Sequence, residues 1–464
     1  MVRGRLGHKV IVKFAAIVTL VAAAGGAAIA ASSGATPAGS RGALSPWSTP
    51  AAVTGCASRW PAQVGFPASS PMTATGPGAI VCADSLGELA VAPMLGTSAA
   101  PASFRALTTA PPRLTGPFTI TTTGSGQIVV AGSSIGDPRR AALLTEGRST
   151  SSFRAPLALA GPGSPLALAR AYLGDTAVAS LIADPRRPAT TRGIELRVQR
   201  HFAGAFARPV TISTAGGAAV TALDVTLDYR SDVLVVWEQG GSIWARELRA
   251  NGRLQPLQRV GSSAPHPQLQ ALVSDDNRAI VSWASSVFPR AHVWMSISAP
   301  LVRFSARPRL LEAIDDPAGT PLPGGSLRLT RLSGEGVLIA WTGEEAGRHV
   351  VRSAAVGLDG VKPVATISDP SSDAVLADLA TGPHGDAIAT WITRSAARTL
   401  ELYAARGVVA AGAQASFGAP EPVGQVAGGA AAAAAVAVDP ASDMAIVVWP
   451  TAKGIAYAQR WSGP

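Results

Sequence analysis

Two four-residue runs concentrate the charge chemistry of this chain: Asp137-Pro-Arg-Arg140 and Asp184-Pro-Arg-Arg187. A guanidinium group is planar and donates two parallel hydrogen bonds, so neighbouring arginines suit carboxylate, sulfate or phosphate groups. Single arginines follow at comparable places: Arg192, Arg290, Arg348, Arg394 and Arg398. From this set Arg139, Arg140, Arg186, Arg187, Arg290 and Arg394 are the candidate binding residues. The partner they imply is an anionic glycan or an acidic protein surface. Aspartates gather in different turns, at Asp228, Asp232, Asp275, Asp276, Asp386, Asp439 and Asp443.

Recognisable catalytic chemistry is absent from the sequence. There is no G-x-S-x-G, H-E-x-x-H, P-loop or C-x-x-C pattern. The six histidines, His8, His201, His266, His292, His349 and His384, stand singly, without the spacing of metal ligands. Asp369-Pro-Ser-Ser-Asp373 and Asp439-Pro-Ala-Ser-Asp443 have a calcium-like look, but such spacing is also that of an Asx-turn. No catalytic residue, metal or cofactor is therefore assigned. The leading expectation is a non-catalytic binding protein. A glycan-active hydrolase or lyase is the alternative, favoured if two carboxylates meet in a central funnel. A structural cell-envelope protein is the third reading.

The elements that position these residues come from a repeat. A short alternating strand, a tight turn and a second apolar strand recur eight times, about fifty residues apart. Five copies end in tryptophan: Val-Leu-Val-Val-Trp237, Ile-Val-Ser-Trp283, Leu-Ile-Ala-Trp341, Ile-Ala-Thr-Trp391 and Ile-Val-Val-Trp449. Weaker copies lie at Ala79–Cys82, Gln127–Ala131 and Thr176–Leu181. The copy over 220–260 displays the whole unit. It has strand a (Val220–Leu227), strand b (Val233–Trp237), strand c (Ile243–Leu248), an Asn251-Gly252 hairpin signal and strand d (Leu254–Val260). Strand b is apolar on both faces, as in a sheet covered on both sides. Strand d starts aromatic-x-x-Pro-x-x-aliphatic, at Phe153, Phe206 and Phe417, and proline suits an outer edge.

These features predict an all-β fold: an eight-bladed β-propeller of four-stranded antiparallel blades, or a seven-bladed one if Met72–Ala83 is not a true strand pair. The last copy ends without a full strand d. Trp47…Pro50…Val53 supplies that pattern at the other terminus, so an N-terminal strand is expected to close the ring. The stretch 428–435 is rich in alanine and favours a helix by propensity, but the repeat makes it the innermost strand of the last blade. The arginine candidates then fall in b–c loops and the aspartates in a–b turns, at opposite ends of the ring.

The N-terminus reads as a secretory signal over 1–30, with Arg3, Arg5, Lys9 and Lys13 before an apolar stretch and Ala28-Ile29-Ala30 at its end. An uncleaved membrane anchor is the alternative. Residues 31–43 read as a disordered spacer and 44–464 as one propeller domain, expected to be a monomer. Cleavage removes four basic and no acidic residues from a chain of formal charge +10. The balance that remains is mild, and nucleic acid is not an expected partner. Cys56 and Cys82 are the two cysteines. In an exported chain an even count suggests a disulfide.

Over about residues 44–464 the pattern resembles secreted bacterial β-propeller repeat proteins. The resemblance is architectural and implies no particular activity. The S-x-D-x-G-x-x-W boxes of sialidase-type propellers, and the WD and kelch signatures, are missing.

Overall fold

The computed structural model describes residues 47–52, the strands between 63 and 145, most of these as backbone alone, and 157–460 apart from short stretches mostly in turns. All of these lie in one compact unit, Ala43–Pro464. The expected signal peptide and spacer, the bulk of the first a–b connection and Cys56 lie outside the described residues.

The described residues form eight antiparallel sheets. Blade one contains Gln63–Gly65, Ala79–Ala83, Leu89–Pro93 and Arg105–Ala106 as strands a to d. Blade two contains Leu114–Thr122, Ile128–Ser134, Ala141–Thr145 and Leu157–Ala158. Blade three contains Leu166–Arg170, Thr176–Asp184, Arg187–Gln199 and Val210–Thr214. Blade four contains Val220–Leu227, Val233–Gln239, Ser242–Leu248 and Gln258–Ser262. Blade five contains Gln268–Val273, Ala279–Val287, Arg290–Ile297 and Arg309–Asp315. In blade six, Leu327–Arg331, Val337–Glu345 and Arg348–Gly357 precede a strand d split into Gly360–Val361 and Ala365–Thr366. Blade seven repeats that division, with Ala374–Thr381, Asp386–Arg394, Leu400–Val408, and then Ser416–Phe417 and Glu421–Val426.

Blade eight joins the two ends of the chain. Ala435–Val438, Ala445–Thr451 and Gly454–Arg460 supply strands a to c, and Ala51–Ala52 supplies strand d. Ala51 pairs with Tyr457 and Ala52 with Ala456. Ser48 N donates to Gln459 O at 2.8 Å, Gln459 N donates back to Ser48 Oγ at 3.0 Å, and Trp47 packs against the core of blades seven and eight. The eight inner strands contact one another in sequence, and Ala435–Val438 returns to Gln63–Gly65. The described strands thus form a closed ring of eight blades, packed face to face, in which the N-terminal strand completes the last sheet. Two boundaries differ from the sequence expectation: strand d of blade four is Gln258–Ser262, with Leu254 only in an isolated bridge to Leu248, and strand a of blade one is Gln63–Gly65, upstream of Met72, with a long a–b connection in place of the tight turn used elsewhere.

Packing explains the repeat. The core is a series of wedges, each shared by two adjacent blades, as in the clusters joining blades three and four, four and five, five and six, and six and seven. Strand b is buried on both faces because each face meets a different blade. Among the described residues Trp237, Trp283, Trp341, Trp391 and Trp449 are the largest fully buried side chains. The Trp283 indole N–H donates to Ser262 O at 3.1 Å, and that of Trp449 to Gln425 O at 2.9 Å, in each case strand d of the preceding blade. A glycine at the strand d bulge leaves room for the ring: a Cβ on Gly261 would lie 2.6 Å from Trp283, and one on Gly424 2.6 Å from Trp449.

Blade five has Glu312 at the place of those glycines. Its carboxylate accepts the Trp341 indole N–H and the Glu344 N–H (3.1 Å), and it pairs with Arg352 at 3.0 Å. Gly343 makes room for it, since a Cβ there would lie 2.6 Å from the carboxylate.

Candidate functional site

In a meander the strands alternate in direction, so the b–c and d–a connections share one end of the ring and the a–b and c–d connections share the other. Arg348, the first residue of strand c in blade six, donates to Ser371 O in the next d–a connection. Beside it, His349 Nδ1 lies 2.9 Å from Asp373 Oδ1. The hairpin registers place Arg187 opposite Asp184, Arg290 opposite Val287, Arg348 opposite Glu345 and Arg394 opposite Leu400. Each of these four arginines therefore borders a b–c turn at the same end of the ring. Arg290 and Arg394 are exposed. Arg139, Arg140, Arg186 and Arg398 lie outside the described residues, and Arg187 and Arg192 are described by backbone alone. Acids share this end: Glu345, exposed, lies 3.5 Å from Arg352.

At the a–b end, the aspartates hold the fold together. Asp232 stands just before strand b of blade four. Its Oδ2 is 2.8 Å from Arg249 Nη1, and its Oδ1 accepts the N–H of Ala250 at 2.6 Å. Asp175 is its equivalent in blade three, 2.9 Å from Arg200 Nη1 and bonded to His201 N at 2.5 Å. Burial opposes the Asp175 charge, but hydrogen bonds from Ser231, Arg200 and His201 outweigh it and hold the carboxyl below its ordinary range. Asp386 repeats the pattern in blade seven, 2.7 Å from Arg406. Asp228 caps its own turn, accepting the N–H groups of Arg230 and Asp232 at 2.8 Å each. The sequence expectation of an acidic end is thus modified: Asp175, Asp232 and Asp386 are matched by arginines of the same end. Asp275, Asp276, Asp439 and Asp443 lie outside the described residues.

A third set of charges, not singled out from the sequence, occupies the axis. The inner edge of each strand a has no strand beyond it, and at several of these edges side chains satisfy backbone groups. Asp224 accepts the N–H of Val225 at 2.9 Å and of Ala271, in the next blade, at 2.6 Å. Asp378 does the same for Val436 at 2.9 Å and accepts Arg328 Nε at 3.0 Å. Arg331 donates to Val273 O at 2.7 Å and to Leu227 O at 3.4 Å, reaching the strand ends of two other blades. Burial pushes the Asp224 carboxyl up to about 7, against the two backbone hydrogen bonds and the charge of Arg328. Asp224 and Asp378 are both the fifth residue of strand a, a polar position inside an otherwise alternating apolar run. That shared position was the available sequence signal.

Among the described residues no group of three or more His, Cys, Asp or Glu is arranged to hold a metal ion. No helix among them is long and apolar enough to cross a membrane. The expected Cys56–Cys82 bridge receives no support: Cys56 is not described, and Cys82 is described only by its backbone in Ala79–Ala83.

No protein-family model matches the chain, and no curated protein matches it in sequence. Solved structures match it in shape. The BP39L lectin from Burkholderia pseudomallei superposes with a TM-score of 0.50 at 13% identity, covering 79% of this chain and 99% of its own. AofleA from Arthrobotrys oligospora covers 69% of this chain and 91% of its own, at 12% identity and a TM-score of 0.39. The Aleuria aurantia lectin, a six-bladed β-propeller, covers 67% and 96%, at 14% identity and a TM-score of 0.33. At these identities the likeness is one of fold.

Proposed function

We propose that this chain is a secreted, non-catalytic binding propeller whose partner lies against the b–c end and carries anionic groups, as an acidic glycan or protein surface does. The observation that supports the reading is the shared register of Arg187, Arg290 and Arg348, each the first residue of a strand c, with Arg394 across the turn in blade seven. One exposed ion pair contributes about 0–1 kcal/mol, so several loops must act together, and the interaction weakens with salt. Arg139, Arg140 and Arg186 join this surface by their place in the repeat. The lectin label of the similar BP39L structure fits a glycan partner.

The test is retention of the exported chain on an anionic polysaccharide column. Replacing Arg290 and Arg394, and separately Arg139, Arg140, Arg186 and Arg187, by alanine should lower the eluting salt concentration. Elution of both variants with the parent removes the proposal.

A glycan-active enzyme is the second reading, favoured by one observation: Asp224, near neutral in its titration, and Asp378, paired with Arg328, both face the axis. Both already serve as backbone acceptors, which favours the binding reading. Turnover of a glycan that is abolished by Asp224→Asn and Asp378→Asn would reverse the order.

A further inference from the structure

Six large apolar side chains are exposed among the described residues, and four of them, Leu257, Leu310, Leu358 and Val364, stand on one part of the molecule. Leu257 immediately precedes strand d of blade four, and Leu310 is the second residue of strand d in blade five. Leu358 lies in the c–d turn of blade six, and Val364 precedes the second piece of its strand d. Strand d is the outermost strand of each blade, and the c–d connections share the a–b end. The four residues therefore mark the outer rim of three consecutive blades, at the end opposite the arginine-bearing turns. Exposed aliphatic residues scattered singly are ordinary, but a run of them along one rim is not.

Proline stands just before three of them: Pro256-Leu257, Pro308-Arg309-Leu310 and Pro363-Val364. It suits an outer edge because it has no donor to leave unpaired, and for the same reason it blocks pairing with a strand of another chain. Contact at this rim must run through side chains.

Charge completes the surface. Arg253, Arg303, Arg307 and Arg309 are exposed on the same rim. Among the described residues none of these four guanidinium groups has an ion pair. The described carboxylates of strands c and d here are engaged elsewhere: Glu247 lies 3.1 Å from Arg249 Nε, Glu312 3.0 Å from Arg352 Nη1 and Asp359, in the c–d turn, 2.6 Å from Lys362 Nζ. An acidic polysaccharide would engage the arginines and leave the aliphatic side chains in water. An anionic bilayer takes both, since its headgroups attract guanidinium groups and its headgroup–acyl boundary accepts aliphatic tips.

We propose that the outer rim of blades four to six docks on anionic lipid and holds the propeller against a membrane surface. The rim is separate from the b–c end and does not depend on the partner proposed there.

The experiment is co-sedimentation of the exported chain with vesicles of phosphatidylcholine alone and of phosphatidylcholine mixed with phosphatidylglycerol. Sedimentation with the mixed vesicles is expected, about tenfold weaker or absent with phosphatidylcholine alone, and reversed by salt. Replacing Arg303, Arg307 and Arg309 by alanine should lower partitioning onto the mixed vesicles about a hundredfold. Leu257→Ser combined with Leu310→Ser should lower it about tenfold, a change that a rim reading only charge would not register. Both variants alter exposed side chains, so they should melt with the parent and elute with it from the anionic polysaccharide column, while alanine at Arg290 and Arg394 leaves sedimentation intact. No sedimentation with the mixed vesicles, or parental partitioning of either rim variant, overturns the proposal. Parental partitioning of the leucine variant together with earlier elution of the arginine variant from the polysaccharide column reassigns the rim to a polyanion.

Discussion

The indole of Trp449 in blade eight lies across Gly424 of blade seven, so closely that a Cβ on the glycine would sit 2.6 Å from the ring. The same relation joins Trp283 to Gly261 three blade boundaries earlier, between blades four and five. Strand d has to bulge where the next tryptophan enters, and the missing side chain makes the approach possible.

Gly424→Ala should therefore destabilise the fold by about 1–3 kcal/mol through overpacking, and Trp449→Ala by about 3–5 kcal/mol through the cavity it leaves. Urea unfolding measures both. The two changes should be strongly non-additive, because the alanine methyl fits once the ring is gone. Additive costs would show that the contact is not the cause.

Ring closure predicts a large effect from a short segment. Removing residues 44–55 deletes the strand that pairs with Gly454–Arg460 and the Ser48 hydrogen bonds to Gln459. The last blade is then left with three strands and an exposed edge. The melting temperature should fall and association through the open edge should rise. An unchanged melting curve with a monomeric elution profile would contradict the role of this strand.

Asp224 gives the protein a pH dependence of defined sign. Its carboxyl is raised from 3.8 to about 7 in the fold, so the folded state binds more protons than the unfolded state between those values. Its contribution is fully favourable below about pH 4 and is lost as pH rises towards 7, by roughly 4 kcal/mol in total. Asp224→Asn removes this slope. Unfolding free energies at a series of pH values should show the variant gaining on the parent from pH 4 to 7. A constant difference across the range would refute the assignment.

The Asp232–Arg249 clasp should act mainly on stability. Asp232→Ala leaves the Ala250 N–H without its acceptor and a partly buried guanidinium with Glu247 as its remaining carboxylate. A loss of about 2–3 kcal/mol is expected, with far-UV circular dichroism unchanged at low temperature. A loss below about 0.5 kcal/mol would place this pair with ordinary surface salt bridges.

The chain's own order specifies most of the architecture. Tryptophans at the end of apolar runs, polar turns before them and Asn251-Gly252 after them are local signals, and their fifty-residue period yields eight blades. The incomplete last repeat and the Trp47…Pro50…Val53 segment imply closure, because a strand missing at one end and surplus at the other can satisfy the same edge. The first inner strand, Gln63–Gly65, is not legible in the sequence because its a–b connection lacks the short polar turn that marks the other copies. What the local pattern does not contain is which side chains meet across blades. Asp224 reaches Ala271, Arg328 reaches Asp378, and Arg331 reaches Leu227 and Val273, all through the axis, where residues far apart in the chain come together because inner strands have backbone groups that no further strand can satisfy. Likewise the arginine–aspartate division between loops was legible, but the matching of Asp175, Asp232 and Asp386 by Arg200, Arg249 and Arg406 was decided by folding. Strand c brings its arginines back beside the start of strand b, where burial makes an unmatched carboxylate costly.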